Sequence, residues 1–393
     1  MKEPILRGPV LLQTGFRIFF LGAAVQAVVS VLFWYFFYVA GGNIFVAMPL
    51  TVWHGHEMVF GFSMAVVAGF LLTAVMNWTG QPTLHGFSLL LLFLFWLGAR
   101  VLAFMPASFS LYPCITFNLL FMSYLAIAVM RPIIAVKQWK QSAVFSKLIL
   151  ILISAMFLYW ALMHEELIIQ RKALRFAVYM LISLIFTIGR RVIPFFVERG
   201  VGYPVHLRNS RFIDLSSLIF LVLFSIFDIF WPQPVVIISL CVLLTIVHVL
   251  RLAGWYTLGI WKKNLLWVLF SGYLFLISGF LLKIWTIIRQ QPDDAALHAW
   301  TTGGIGIFTL GMMARVAWGH TGRNIAQPPR LVTVMFFSII ISACVRVFFP
   351  LINESHYIMW VAISQLLWVF AFCLYLFLYF SVLISSRPDG KFG

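Results

Sequence analysis

The stretch WHGHEMVFGF, residues 53–62, sets two imidazoles and a carboxylate within four positions of an otherwise apolar run. Imidazole binds metals and carries protons, and a neighbouring carboxylate can orient such a ring or relay its proton. On a regular helix His54 and His56 lie about 200° apart around the axis, so they address two different sites. His54 would share a face with Glu57, Met58 and Gly61, and His56 with Val59, Phe60 and Ser63. The plainer alternative is a hydrated helix start at the outer surface, with Trp53 as an interfacial anchor.

A second histidine-bearing run, LHAWTTGGIGIFTLGMMARVAWGHTGR (297–323), holds His298 and His320. On uninterrupted α-helix their spacing is close to six turns, which puts them on one stripe roughly 33 Å apart. Gly303, Gly304, Gly306 and Gly311 between them leave a smooth surface for a flat macrocycle or for another helix. In VHVLRLAGWY (247–256), His248, Arg251 and Trp255 share a face, an arrangement that suits a haem ligand beside a propionate-binding cation. Arg190, Arg191 and Arg315 sit at similar predicted depth and suit the same role, or ordinary anchoring. By depth, His54, His56 and His298 fall toward the outer side, and His248 and His320 toward the inner. His85, His164, His206 and His356 fall at loops or span ends and are expected at the surface.

The elements that carry these residues are transmembrane helices. The chain of 393 residues is 63% hydrophobic and 10% charged, far from the balance of a soluble domain. Apolar runs of about 20 residues, the length that crosses a bilayer, recur near 16–40, 50–75, 87–105, 109–130, 144–163, 173–196, 212–230, 234–256, 264–288, 295–319, 331–350 and 356–384. The expected fold is therefore all-α, a polytopic membrane helical bundle of about twelve transmembrane helices forming one domain over residues 1–393.

The net charge of +16 is scattered singly between apolar runs, which argues against nucleic acid as a partner. With twelve spans, 20 of the 27 Lys and Arg, Lys2, Arg7 and Lys391 among them, fall on the face holding both termini. Arg171, Lys172, Arg175 and Arg289 fall on the other, so the positive-inside rule predicts cytoplasmic termini. Arg100, Lys283 and Arg346 remain inside spans, where snorkelling or a transport path would account for them. No cleavable signal precedes the first span.

Cys114, Cys241, Cys344 and Cys373 lack C-x-x-C or C-x-x-C-H spacing, which disfavours iron–sulfur clusters and covalent haem. No nucleotide-cradling glycine loop, H-E-x-x-H or G-x-S-x-G is present. A displacement of 242 residues sets His56 on His298, Gly61 on Gly303, Gly69 on Gly311, Thr79 on Thr321 and Gly80 on Gly322. This weak echo would make the second and tenth spans equivalents.

WHGHEMVFGFSMAVVAGFLLTAVMNWTG, GRRVIPFFVERG, H-x-x-R-L-x-x-W and GMMARVAWGHTGR together resemble the NnrS family of bacterial membrane proteins. The resemblance implies a twelve-span protein of the bacterial inner membrane that carries haem b and copper. It also implies a link to nitric oxide metabolism and relief of nitrosative stress. The family's recurring histidines correspond to His54, His56, His248, His298 and His320, with Arg190, Arg251 and Arg315 in the same blocks. Many relatives have histidine where this chain has Phe270.

The reading that follows is a redox protein reducing NO to N2O with electrons from membrane quinol. His56 and His298 would be axial ligands of an outer haem, with His54 and Glu57 facing substrate or a second metal. His248 and His320 would serve an inner site, with Arg190, Arg191, Arg251 and Arg315 around it. The alternatives are a haem- or copper-bearing protein that binds or senses NO without turnover, and a transporter of a metal or small anion.

Overall fold

In the computed structural model, residues 8–42 and 46–390 are described, so Lys2, Arg7 and Lys391 lie outside the described residues. Lipid offers no partner for backbone amides, so a chain this apolar satisfies them within helices, and no strand occurs among the described residues. The helices are α1 (Gly15–Tyr38), α2 (Leu50–His56), α3 (Met64–Thr79), α4 (Gly86–Ala103), α5 (Ala107–Ala135), α6 (Ser142–Met163) and α7 (Leu167–Gly200). They continue as α8 (Arg211–Ile229), α9 (Pro234–Gly254), α10 (Asn264–Arg289), α11 (Asp294–His298), α12 (Ile307–His320), α13 (Leu331–Ile352) and α14 (Tyr357–Ile384).

Eleven of the described helical segments are long and apolar enough to cross a membrane, the second of them the continuous Leu50–Thr79. The tenth predicted span is α11 and α12 joined by a non-α stretch. This is a multi-pass membrane protein.

Two spans depart from regular α-helix at the places the sequence singled out. Glu57–Ser63, here π1, joins α2 to α3 with i→i+5 bonding, and Ala299–Gly306, π2, joins α11 to α12 in the same way. Such wide turns inside helices are rare and concentrate at functional sites. Ser63 Oγ donates to the Met58 carbonyl five residues back at 2.7 Å, reinforcing the wider turn. The shared stripe expected for His298 and His320 assumed unbroken α-helix; eight residues of π-helix between them remove that phase relation.

The chain forms two compact units interleaved in sequence. One comprises residues 1–177, 313–329 and 372–393, and the other 178–312 and 330–371. Within the first, α1 packs on α3 and π1, and α5 packs on α4, α3 and α6; within the second, α10 packs on α9, α11 and π2, and α13 on α11 and π2.

The local geometry gives the sequence echo a physical basis. A Cβ on Gly61 would touch Gln26 and Arg100, and one on Gly69 would touch Phe19 and Phe20. Correspondingly, a Cβ on Gly303 would strike Phe275, and one on Gly311 would touch Val268 and Leu269. The contacted α1 and α10 residues are displaced by a constant 249 positions: Phe19 to Val268, Phe20 to Leu269, Gln26 to Phe275. Gly80 and Gly322 both follow helix ends in the left-handed region, at φ +66° and +74°, which glycine adopts without a Cβ clash. The glycines of the tenth span pack closely on helices: a Cβ on Gly304 would meet Leu276 and one on Gly306 would meet Trp368.

Candidate functional site

In the first unit, π1 places Glu57 at the centre of a sealed polar cluster. His56 and Glu57 are fully buried, Asn118 likewise, and Arg100 and Tyr159 nearly so. His56 Nδ1 donates to Glu57 Oε1 at 2.8 Å, and Arg100 Nη1 donates to the same oxygen at 2.7 Å. Gln26 Nε2 donates to Oε2 at 2.5 Å. Arg100 Nη2 donates to Asn118 Oδ1 at 3.0 Å, Asn118 Nδ2 donates to the Tyr159 hydroxyl, and that hydroxyl lies 2.8 Å from His56 Nε2.

Donor bookkeeping assigns the tautomer. The carboxylate only accepts, so Nδ1 carries hydrogen, and Nε2 accepts from Tyr159. A closed ring results, running Arg100–Asn118–Tyr159–His56–Glu57 and back to Arg100, with the guanidinium and carboxylate charges balanced. Five elements supply it: α1, the α2–π1 junction, α4, α5 and α6. Arg100 Nε is left buried without a partner.

Regular-helix spacing put Glu57 with His54. The carboxylate instead holds its immediate neighbour His56, while His54 is half-buried and stacks on Trp34 at a centroid distance of 4.6 Å. Nor does Arg100 snorkel to an interface.

In the second unit, His248 is fully buried, with Nε2 3.1 Å from Ser217 Oγ and Nδ1 2.6 Å from the Tyr273 hydroxyl. Phe186 stacks on the ring at 3.7 Å. Arg251 follows one turn later on α9 and reaches Ser217 and Tyr273 through Nη1 at 3.4 and 3.5 Å. Its Nη2 bonds Asp214 Oδ1 at 3.0 Å, while Arg190 Nε bonds Oδ2 of the same carboxylate at 2.9 Å. The carboxylate that the sequence sought for Arg190 and Arg251 on a cofactor is thus met by the chain's own Asp214. Arg191 is half-buried on the same helix as Arg190, and Phe270 is buried in α10.

Also in that unit, Lys283 Nζ lies between Asp228 at 2.6 Å and Asp293 at 2.8 Å, and Tyr179 donates to Asp228 at 2.5 Å. His298, at the start of π2, donates from Nδ1 to the Asp294 carbonyl at 2.8 Å and accepts at Nε2 from Arg346 Nη2 at 3.2 Å.

His320, in the first unit, is half-buried 5.8 Å from the Phe16 ring, and its carbonyl accepts from Arg387. Arg315 is buried five residues before it. In the loop beyond α12, Arg323 lies 5.7 Å over the Trp318 ring, and burial pushes its pKa below the ordinary arginine value. His85, His164, His206 and His356 are exposed, as the sequence indicated.

Sequence reasoning missed Gln26, Asn118 and Tyr159 in the first cluster, and Asp214, Ser217 and Tyr273 in the second. It also missed Tyr179 and Asp228 beside Lys283. Asp214 and Asp228 carried a signal, as ionisable residues two positions inside either end of the apolar run 212–230.

Among the described residues, no group of three or more His, Cys, Asp and Glu could hold a metal ion. For a haem, which needs one or two imidazoles, His56 has the required tautomer, with Nδ1–H held by a carboxylate, and its Nε2 lone pair is taken by the Tyr159 hydroxyl. His298 has the same tautomer but faces a guanidinium. His248 likewise has both nitrogens engaged, and in addition one ring face is covered by Phe186.

Fold and clusters together define a multi-pass helical membrane protein with buried, internally balanced ionic networks in each of two units. Residues 10–387 match the family model described as NnrS protein, and the chain belongs to the NnrS family. No match is found among curated proteins. Membership fits a nitric oxide-related membrane protein.

Proposed function

We propose that this chain is a haem-dependent redox protein of the bacterial inner membrane, with cytoplasmic termini, that reduces NO to N2O using membrane quinol. Two NO, two electrons and two protons give N2O and water. The observation that carries the proposal is the fully buried His56–Glu57 pair. A carboxylate-held imidazole with a lone pair on Nε2 is the ligand chemistry of haem iron and of copper; here the Tyr159 hydroxyl occupies that lone pair and would have to turn away for a metal to bind.

His56 is the axial ligand best supported. His298, its expected partner, would have to exchange Arg346 for iron. Bound haem would supply electron storage and NO affinity, while Tyr159 and His56 hold the exchangeable protons of the ring and Glu57 accepts from His56. His54, stacked on Trp34, and His248 and His320 remain candidate ligands of a second metal, with Arg190, Arg191, Arg251 and Arg315 as its candidate cationic surroundings.

The experiment is anaerobic turnover of purified protein with a reduced quinol analogue and NO, alongside pyridine-haem and metal quantification. N2O above a haem-matched control supports the reading. Strong NO binding without N2O removes the enzyme and leaves a protein that binds or senses NO. One observation favours that second reading: the rings around His56 and His248 are closed by protein groups. A transport path lined by in-span cations has less support, since Glu57 takes Arg100, and Asp228 and Asp293 take Lys283.

A further inference from the structure

We propose that Arg346, positioned by His298, forms a binding site for one small, planar, monovalent oxyanion of the carboxylate or nitrite class. The proposal comes from comparing the two halves of the internal repeat, stands independently of NO turnover, and takes His298 bonded to Arg346 rather than to iron. In each half a histidine immediately precedes a π-helical stretch, donates from Nδ1 and accepts at Nε2. In each half the following span contributes an arginine, Arg100 from α4 and Arg346 from α13.

At the position after the histidine the halves differ in one charge. The residue after His56 is Glu57, whose carboxylate receives Arg100 at 2.7 Å. The residue after His298 is Ala299, also buried. Arg346 makes its hydrogen bonds through Nη2 alone, to His298 Nε2 and to the Tyr357 hydroxyl, each at 3.2 Å. Its guanidinium carbon lies 5.5 Å from the Tyr357 ring. Every one of these contacts is to an uncharged group, and Arg346 has no carboxylate partner among the described residues.

A cation inside an apolar span without a counter-ion is costly. Arg346 is half-buried and lies six residues before the end of α13, on the side from which an ion from solution would approach. Its Nε and Nη1 edge presents two donors in the fork that matches a planar oxyanion in bidentate fashion. One uncompensated charge selects a monovalent ion. The equivalent position in the first unit holds a carboxylate and nothing larger, which selects a small one.

Isothermal titration of the full-length protein, purified in detergent and chloride-free buffer with its metal content measured, tests this with sodium acetate and sodium nitrite as probes. The expected result is saturable binding of at least one probe, one ion per chain, weakened at least about tenfold in Arg346→Gln, a loss of about 1.4 kcal/mol. Ala299→Glu supplies the carboxylate from the chain itself and should abolish binding while keeping Arg346. Nitrite can also meet a metal; acetate binding that survives in metal-poor protein ties the site to Arg346. Absence of saturable binding by both probes overturns the proposal, as does unchanged affinity in a monodisperse Arg346→Gln or Ala299→Glu protein.

Discussion

Replacing Glu57 by Gln keeps the shape of the side chain and removes the negative charge that balances Arg100. Glu57 Oε1 accepts from both Arg100 and His56, and Oε2 from Gln26. A neutral amide must turn its NH2 toward one of these donors, so at least one bond becomes a donor–donor contact. With charge centres about 4 Å apart, the lost attraction is about 4 kcal/mol at an effective dielectric near 20. Breaking one side of a buried pair costs about 3–5 kcal/mol, and the two figures agree. Thermal unfolding of detergent-solubilised protein, read by the reaction of buried Cys114 with a thiol-reactive fluorophore, reports on the same cluster, since Cys114 Sγ donates to the Ala99 carbonyl one residue from Arg100. A fall in Tm of about 4–6 °C is expected, since unfolding entropy scales with chain length. The double variant Glu57→Gln/Arg100→Gln removes both charges and should be more stable than Glu57→Gln alone, with a coupling of about 2 kcal/mol or more. Additive effects of the two substitutions would refute the ring as a charge-balanced unit.

Asp214→Asn strips the carboxylate shared by Arg190 and Arg251 and should cost about 3 kcal/mol through the buried Arg251. Arg190→Ala, at a side chain 44% exposed, should cost less than about 1 kcal/mol; urea or thermal unfolding of the pair distinguishes them. Lys283→Met leaves Asp228 and Asp293 facing each other's charge, and Asp228→Asn in the same chain should recover part of the lost Tm. Gly279→Ala drives a methyl into the Trp300 indole, and an overpacking cost of about 1–3 kcal/mol should appear as a lower Tm with unchanged helicity by circular dichroism.

The spans were legible because lipid leaves the chain one solution: an apolar run either closes its own backbone bonds in a helix or does not enter the bilayer. Residues 264–288 and 234–256, read from composition, became Asn264–Arg289 and Pro234–Gly254. His56 and Glu57 were legible as ionisable groups in a run where desolvation is costly. Tyr159 and Asn118 were not, because neither is ionised and each comes from a distant span whose own pattern is simply apolar. Asp214 escaped because a carboxylate near a span end resembles ordinary surface chemistry until two arginines are seen to share it.

What the sequence could not carry was helix phase. Every face assignment around WHGHE rested on 100° per residue, and that rule fails where bonding shifts to i→i+5. The wider turn begins at Glu57, the residue whose partner was misassigned, and it frees geometry a regular helix lacks: the Gly61 carbonyl accepts from Trp96 Nε1 at 3.0 Å across to α4, and Gly61 itself leaves the space that Arg100 fills. The Arg100 guanidinium reaches Glu57 because position 61 has no Cβ, which would otherwise sit 2.7 Å from Nη1. In the second unit, Gly303 makes the same kind of space for Phe275, an apolar ring where the first unit uses Gln26. One repeat has therefore filled its wide turn with balanced charge and the other with aromatic bulk, which leaves Arg346 the cation whose counter-ion the chain does not supply among the described residues.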